Sequence, residues 1–141
     1  MVTKILVVDD NYELANLITE HLINAEYKCD IALTYESALR YLNKRYDVVI
    51  TDILLKDANK TGLDFAVQYK LQYPKTFIIA ISGNENLQTN YGIDYFIPKP
   101  INFPKMISII ESRINLSIID LIETVDCISK DIQLIKSKLN I

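Results

Sequence analysis

The chain has 141 residues, half of them hydrophobic and 23% charged, which is enough for one globular domain with an ordinary core. A net charge of −3 leaves no overall basic footprint for nucleic acid. No stretch approaches the roughly 20 apolar residues of a membrane helix. The amino-terminal apolar run is too short for a secretory signal, and Cys29, Cys127 and the single His21 lack zinc or disulfide spacing. These features predict a cytoplasmic protein with no nucleic-acid partner and no membrane insertion.

The first predicted element is a short apolar run, Lys4 to Val8, which reads as a buried strand and ends in Asp9-Asp10. Leu14, Leu17, Ile18 and Leu22 then share one helical face, and Lys28 to Leu33 reads as a second strand. Tyr35, Ala38, Leu39 and Leu42 predict another helix, followed by a third strand, Asp47 to Thr51, that leads into Asp52. Leu63, Ala66, Val67 and Leu71 mark a third helical face, stopped by Pro74. Thr76 to Ser82 is the fourth strand. A short polar segment, Asn84 to Tyr91, ends at Gly92, and a weak fifth strand, Tyr95 to Ile97, leads into Lys99-Pro100. This alternation predicts an α/β fold built on a parallel sheet.

Open sheets of this kind bind ligands at the carboxyl ends of their strands. Asp9, Asp10, Asp52, Ser82 and Lys99 all fall at or just after such ends, so residues scattered in sequence converge in space. Each has a plainer reading when taken singly. The acid pair could cap a helix, Ser82-Gly83 could be a turn, and Lys99-Pro100 an exposed loop. As an ordered set they point to chemistry. Three carboxylates on one edge need a compensating hard cation, for which Mg2+ is suited. One carboxylate can then attack a phosphoryl group to form an aspartyl-phosphate, with Lys99 as a second cation and Ser82 as a hydroxyl donor.

The motifs Val7-Val8-Asp9-Asp10-Asn11, Ile50-Thr51-Asp52-Ile53, Ile81-Ser82-Gly83 and Pro98-Lys99-Pro100 resemble those of the response-regulator receiver domain, over residues from about 3 to 115. The resemblance implies a flavodoxin-like, doubly wound five-stranded parallel sheet of order 2-1-3-4-5. It implies phosphorylation of Asp52 by a histidine kinase or histidine phosphotransfer protein. It also implies Mg2+, or Mn2+ in its place, held by Asp9, Asp10, Asp52 and the backbone carbonyl of Leu54. Ser82 and Lys99 would bind the phosphoryl oxygens, with Lys99-Pro100 cis. Ser82 and Phe96 would form the switch pair, with plain core packing as the other reading of Phe96.

Three features depart from the family pattern. The loop from Ile53 to Thr61 is slightly long, with Lys56 where proline is common. The span from Gly83 to Asp94 is short for a fourth helix. Leu54 and Asn84 occupy the variable positions flanking the acceptor, where Leu54 would limit water access to an aspartyl-phosphate.

Residues 1–115 are thus expected to form the receiver domain and 116–141 a helical extension. In the extension Ile118, Leu121, Val125, Ile128, Ile132, Ile135 and Leu139 alternate spacings of three and four, the seam of a coiled coil. Asp131 and Lys136 take the g and e positions of that register. Self-association, with a dimer favoured, is the expectation. The alternatives are a helix folded back on its own domain or packed on another protein, and Ser117 with Asp120 could cap a new helix after a bend.

The function implied is a two-component response regulator that accepts a phosphoryl group and signals to a downstream protein by contact. It would have no DNA-binding or enzymatic output, and at most Mg2+-dependent self-phosphorylation and self-dephosphorylation. The competing reading is a constitutive coiled-coil scaffold with a receiver fold that does not switch. A haloacid-dehalogenase-like hydrolase is disfavoured because Leu54 stands where those enzymes carry an acid. A dinucleotide binder is disfavoured by the lack of a glycine-rich loop.

Overall fold

The computed structural model describes residues 2–55, 60–83 and 92–140. In chain order the elements are β1 (Lys4–Val8), α1 (Tyr12–Asn24), β2 (Lys28–Ala32), α2 (Tyr35–Leu39), β3 (Val48–Asp52), α3 (Gly62–Gln72), β4 (Phe77–Ser82), β5 (Tyr95–Pro98) and α4 (Phe103–Leu139). The strands form one parallel sheet of order β2-β1-β3-β4-β5, as expected from the sequence. The expected short segment between Asn84 and Tyr91, and Lys56 in the loop after β3, lie outside the described residues.

The order of strands decides where the helices go. Right-handed crossovers that run in opposite directions from β1 and β3 put their helices on opposite faces of the sheet. On one face Leu6, Val8, Val49 and Ile78 pack with Tyr35, Ala38, Phe65, Ala66 and Tyr69 from α2 and α3. Strand alternation turns Ile5, Val7, Ile50 and Ile79 to the other face. His21 of α1 stacks on Phe103 at the start of α4, with ring centroids 4.1 Å apart. Central strands buried on both faces explain why their sequences read as unbroken apolar runs.

Two helical faces differ from expectation. In α1 the buried residues are Ala15, Ile18 and Leu22, whereas Leu17 is largely exposed. In α3 they are Gly62, Phe65, Ala66 and Tyr69, and Leu71 is 79% exposed. The cause in α3 is polar as well as apolar. Tyr69 Oη donates to the carbonyl of Lys44 at 2.9 Å and accepts from the amide of Tyr46 at 2.7 Å. A tyrosine whose hydroxyl finds partners buries its ring at little polar cost, and its face then leaves Leu71, two residues on and about 200° round the helix, in solvent. Thr76 Oγ1 bonds the carbonyl of Tyr46 at 2.7 Å, which fixes the entry to β3 from a second side.

The chain divides into two compact units, Met1–Ile107 and Ser108–Ile141. Over its described residues the second unit is one helix, the continuation of α4. No new helix begins at Ser117, whose hydroxyl bonds the carbonyl of Arg113 one turn back. The alternative in which Ser117 and Asp120 cap a separate helix therefore does not hold. Among the described residues no helix is long and apolar enough to cross a membrane.

Candidate functional site

β1 and β3 pair side by side, with Val8 opposite Thr51, so the acids that follow Val8 arrive beside Asp52. Carboxylate oxygens of Asp9, Asp10 and Asp52 lie within 4.8 Å of one another. Asp9 and Asp52 are buried, at 1% and 6% exposure. The helix-cap reading of the acid pair does not hold. Asn11 is the N-cap of α1, and its side chain accepts from the amide of Leu14.

One oxygen of Asp9 accepts from the amide of Asn11 at 2.9 Å, while Oδ2 is buried and has no hydrogen-bond partner among the described residues. Burial, aided by the charges of Asp52 and Asp10, pushes the Asp9 carboxyl up to about 6 against the pull of the Asn11 amide. An orphaned carboxylate oxygen beside two more acids fits a hard divalent cation, which would supply the missing partner and offset the repulsion.

Lys99 completes the cluster. Its Nζ is 2.7 Å from Asp52 Oδ2, while Asp52 Oδ1 accepts from the amide of Leu54 at 3.1 Å. Burial would lower the Lys99 ammonium, but the hydrogen bond and charge of Asp52, with Asp9 and Asp10 behind it, hold it above its ordinary value. Lys99 arrives here because β5 is the neighbour of β4. Its amide donates to the carbonyl of Ser82 at 2.9 Å, tying the ends of the two strands together. The Lys99-Pro100 bond is cis.

The remaining candidates fall around this centre. Ser82 ends β4 opposite Pro98, and Phe96 lies one step back, opposite Ala80, half-buried on the same sheet face as Ser82. The side chain of Leu54 is 71% exposed beside the acceptor. The seam residues of α4 belong to the Ser108–Ile141 unit. Ile118, Leu121, Val125, Ile128, Ile132, Ile135 and Leu139 are each 46–63% exposed.

Gly62 is a positioning residue to which the sequence analysis gave no role. A Cβ there would sit 1.7 Å from the carbonyl oxygen of Asp52 and 2.5 Å from Thr51 Oγ1. The amino end of α3 therefore presses directly on the backbone of the acceptor, a closeness only glycine permits. Its one visible signal was scarcity, since the chain has only three glycines and this one stands at a helix start. An open cavity of about 760 Å³ lies at the other ends of the strands, lined by Lys4, Lys28, Arg45 and Tyr46 among others. It is remote from the acids and on the wrong edge for ligand chemistry in an open α/β sheet.

Comparison with known proteins agrees with this geometry. The family described as the response regulator receiver domain matches residues 5–111. Response regulator ArlR of Staphylococcus epidermidis is 30% identical over 111 residues, covering 75% of this chain and 50% of that protein. The nitrogen assimilation regulatory protein NtrX of Azorhizobium caulinodans is 28% identical over 117 residues, covering 79% of this chain and 26% of its own length. The chain thus spans half or less of these curated relatives. Among solved structures, the receiver domain of NtrX from Brucella abortus superposes with a TM-score of 0.72 at 30% identity, over 79% of this chain and 98% of that one. A CheY-like receiver from Methanospirillum hungatei gives 0.75 at 23% identity, over 82% and 95%.

Proposed function

The chain belongs to the response regulator receiver family, and from that premise we propose that it accepts a phosphoryl group on Asp52 from a histidine kinase or histidine phosphotransfer protein. An Asp52 carboxylate oxygen forms the new bond to phosphorus. The phosphorus–nitrogen bond of the donor's phosphohistidine breaks, and the electron pair stays with the imidazole. Asp9, Asp10, Asp52 and the Leu54 carbonyl would hold Mg2+, or Mn2+ in its place. When bound, the ion supplies positive charge against the acids and the phosphoryl oxygens.

The chain's own groups do the rest. Lys99 is a fixed ammonium for one phosphoryl oxygen, and the Ser82 hydroxyl bonds another. Phe96, on Ser82's face of the sheet, follows any movement of Ser82 and so reports the state of Asp52 at the surface. A downstream protein reads that report by contact, and the chain is an acceptor rather than a turnover enzyme. The observation that carries the reading is the meeting of three carboxylates with Lys99 Nζ, 2.7 Å from Asp52.

The test is incubation with acetyl phosphate and Mg2+, read by intact mass, for the native chain and Asp52→Asn. One phosphoryl adduct on the native chain, absent in the variant and absent in EDTA, is the expected result. An adduct that persists in Asp52→Asn would overturn the assignment. The exposed apolar residues of α4 favour a second reading, a constitutive scaffold that does not switch. It requires self-association with no Asp52-dependent adduct.

A further inference from the structure

We propose that the apolar stripe of α4 from Ile118 to Leu139 is closed by the same stripe of a second copy of this chain, as a parallel, in-register two-stranded coiled coil. The inference stands independently of the chemistry at Asp52.

Within its own unit, Ser108–Ile141, the helix has no second element to cover it, and all seven seam residues are about half exposed. Five of them, Ile118, Val125, Ile128, Ile132 and Ile135, are β-branched and so poor helix formers. Such a helix persists by packing its apolar face, not by local propensity. The face therefore needs a surface from outside the unit.

The spacing of the stripe says which surface. Alternating steps of three and four average 3.5 residues, the repeat that keeps a seam facing a second helix wound with the same repeat. Another copy supplies that partner by two-fold symmetry. β-branched Ile118, Val125 and Ile132 at a, with Leu121 at d, suit two strands, while Ile128 and Ile135 at the other d positions loosen that preference, so the measured mass decides the strand number.

The charges choose the direction. In a parallel pair the g residue of one helix faces the e residue five positions on in its partner, which sets Asp131 against Lys136 twice. In an antiparallel pair g positions face g positions, so Asp131 meets Thr124 or its own copy in the registers that overlap all or most of the seam, and reaches Lys138 only in a register that leaves Ile118 to Val125 uncovered. Neither Asp131 nor Lys136 has an opposite charge three or four residues away on its own helix. Both charges are thus available across the seam.

The test uses the full chain in sedimentation equilibrium across roughly 1–100 µM, a range where a coil of this length should associate. The expected mass is two chains. Ile128→Asp should shift it to one chain, while Gln133→Asp on the outer face should leave it unchanged. Asp131→Lys should weaken association at least fivefold, and Asp131→Lys with Lys136→Asp should restore it. Ile128→Cys in a Cys29→Ser, Cys127→Ser background should oxidise to a cross-linked dimer, since in-register d residues face each other. A mass of one chain or of three throughout, an Ile128→Asp chain that still dimerises, or a dimer whose Ile128→Cys thiols fail to cross-link overturns the proposal. Unchanged melting of the Met1–Ile107 unit in Ile128→Asp separates lost association from lost folding.

Discussion

Lys99 and Asp52, forty-seven residues apart, share a 2.7 Å ion pair in which the carboxylate is buried and the ammonium about one-third exposed. The lysine is held at both ends, since its own amide is bonded to the Ser82 carbonyl. Removing it takes away the ammonium paired with Asp52 and leaves that buried carboxylate beside Asp9 and Asp10. In EDTA, Lys99→Ala should lower Tm by about 3 °C or more. Adding Mg2+ should recover most of that loss. Lys99→Ala in an Asp52→Asn background should cost far less, because no buried charge is left unpaired. Equal losses in the two backgrounds, measured by thermal melts in a double-mutant cycle, would show that the lysine acts through packing instead.

Gly62 gives the second prediction. A methyl group at that position cannot coexist with the Asp52 carbonyl at 1.7 Å, so Gly62→Ala must push α3 away or tilt the acceptor peptide. Overpacking of this kind costs about 1–3 kcal/mol. Phosphorylation from acetyl phosphate should slow at the same time, because the displaced peptide carries Asp52. Gly83→Ala is the control. It lies one residue past Ser82 with nothing among the described residues within 4 Å of the added carbon, and it should be close to neutral in both urea unfolding and adduct rate.

What the sequence disclosed and what it hid follow from the same physics. Val7, Val8, Ile50 and Ile81 sit in strands buried on both faces, so burial is written as continuous apolar runs and the strand ends beside Asp9, Asp52 and Ser82 stand out. Parallel order then brings those ends together without any further information. Helical faces are less plain because α3 carries apolar residues all round. Leu71 and Tyr69 lie on opposite faces, and the face of Tyr69 is favoured for the core by the Lys44 carbonyl and Tyr46 amide that satisfy the tyrosine hydroxyl. The demand on Gly62 is wholly tertiary. It exists only because α3 begins against the backbone of β3, and no local pattern records that contact.

The start of α3 also sets an acid dependence. Thr61 caps the helix, and Asp64 accepts from the Thr61 amide at 2.6 Å in a reciprocal capping box. The bond from that amide holds the Asp64 carboxyl below its ordinary value, outweighing the effect of burial. A lowered carboxyl binds fewer protons folded than unfolded, so its stabilisation is present above the unfolded value near 3.8 and is lost as pH falls through the folded one. Asp64→Asn should flatten the urea midpoint's decline over that acid range. Thr61→Ala should cost about 1 kcal/mol near neutral pH. A decline as steep in Asp64→Asn as in the native chain would assign it to other carboxylates.

Thiol reactivity separates the two cysteines. Cys29 is in β2, where burial, with the charge of Asp30 beside it, raises its thiol from 9.0 to about 11. Cys127 is exposed on α4, at an outer position of the heptad register, so pairing of the seam leaves it open to solvent. The thiolate is the reactive form, and at pH 8 the raised value cuts its population at Cys29 about a hundredfold. The higher intrinsic nucleophilicity of a more basic thiolate returns part of this, so the net slowing should be at least tenfold. In a Cys127→Ser chain, iodoacetamide should therefore label Cys29 at least ten times faster in urea than in buffer, measured by intact mass over time. In the native chain the first adduct should map to Cys127. A first adduct on Cys29 would mean that the amino-terminal edge of β2 opens to solvent more readily than its packing implies.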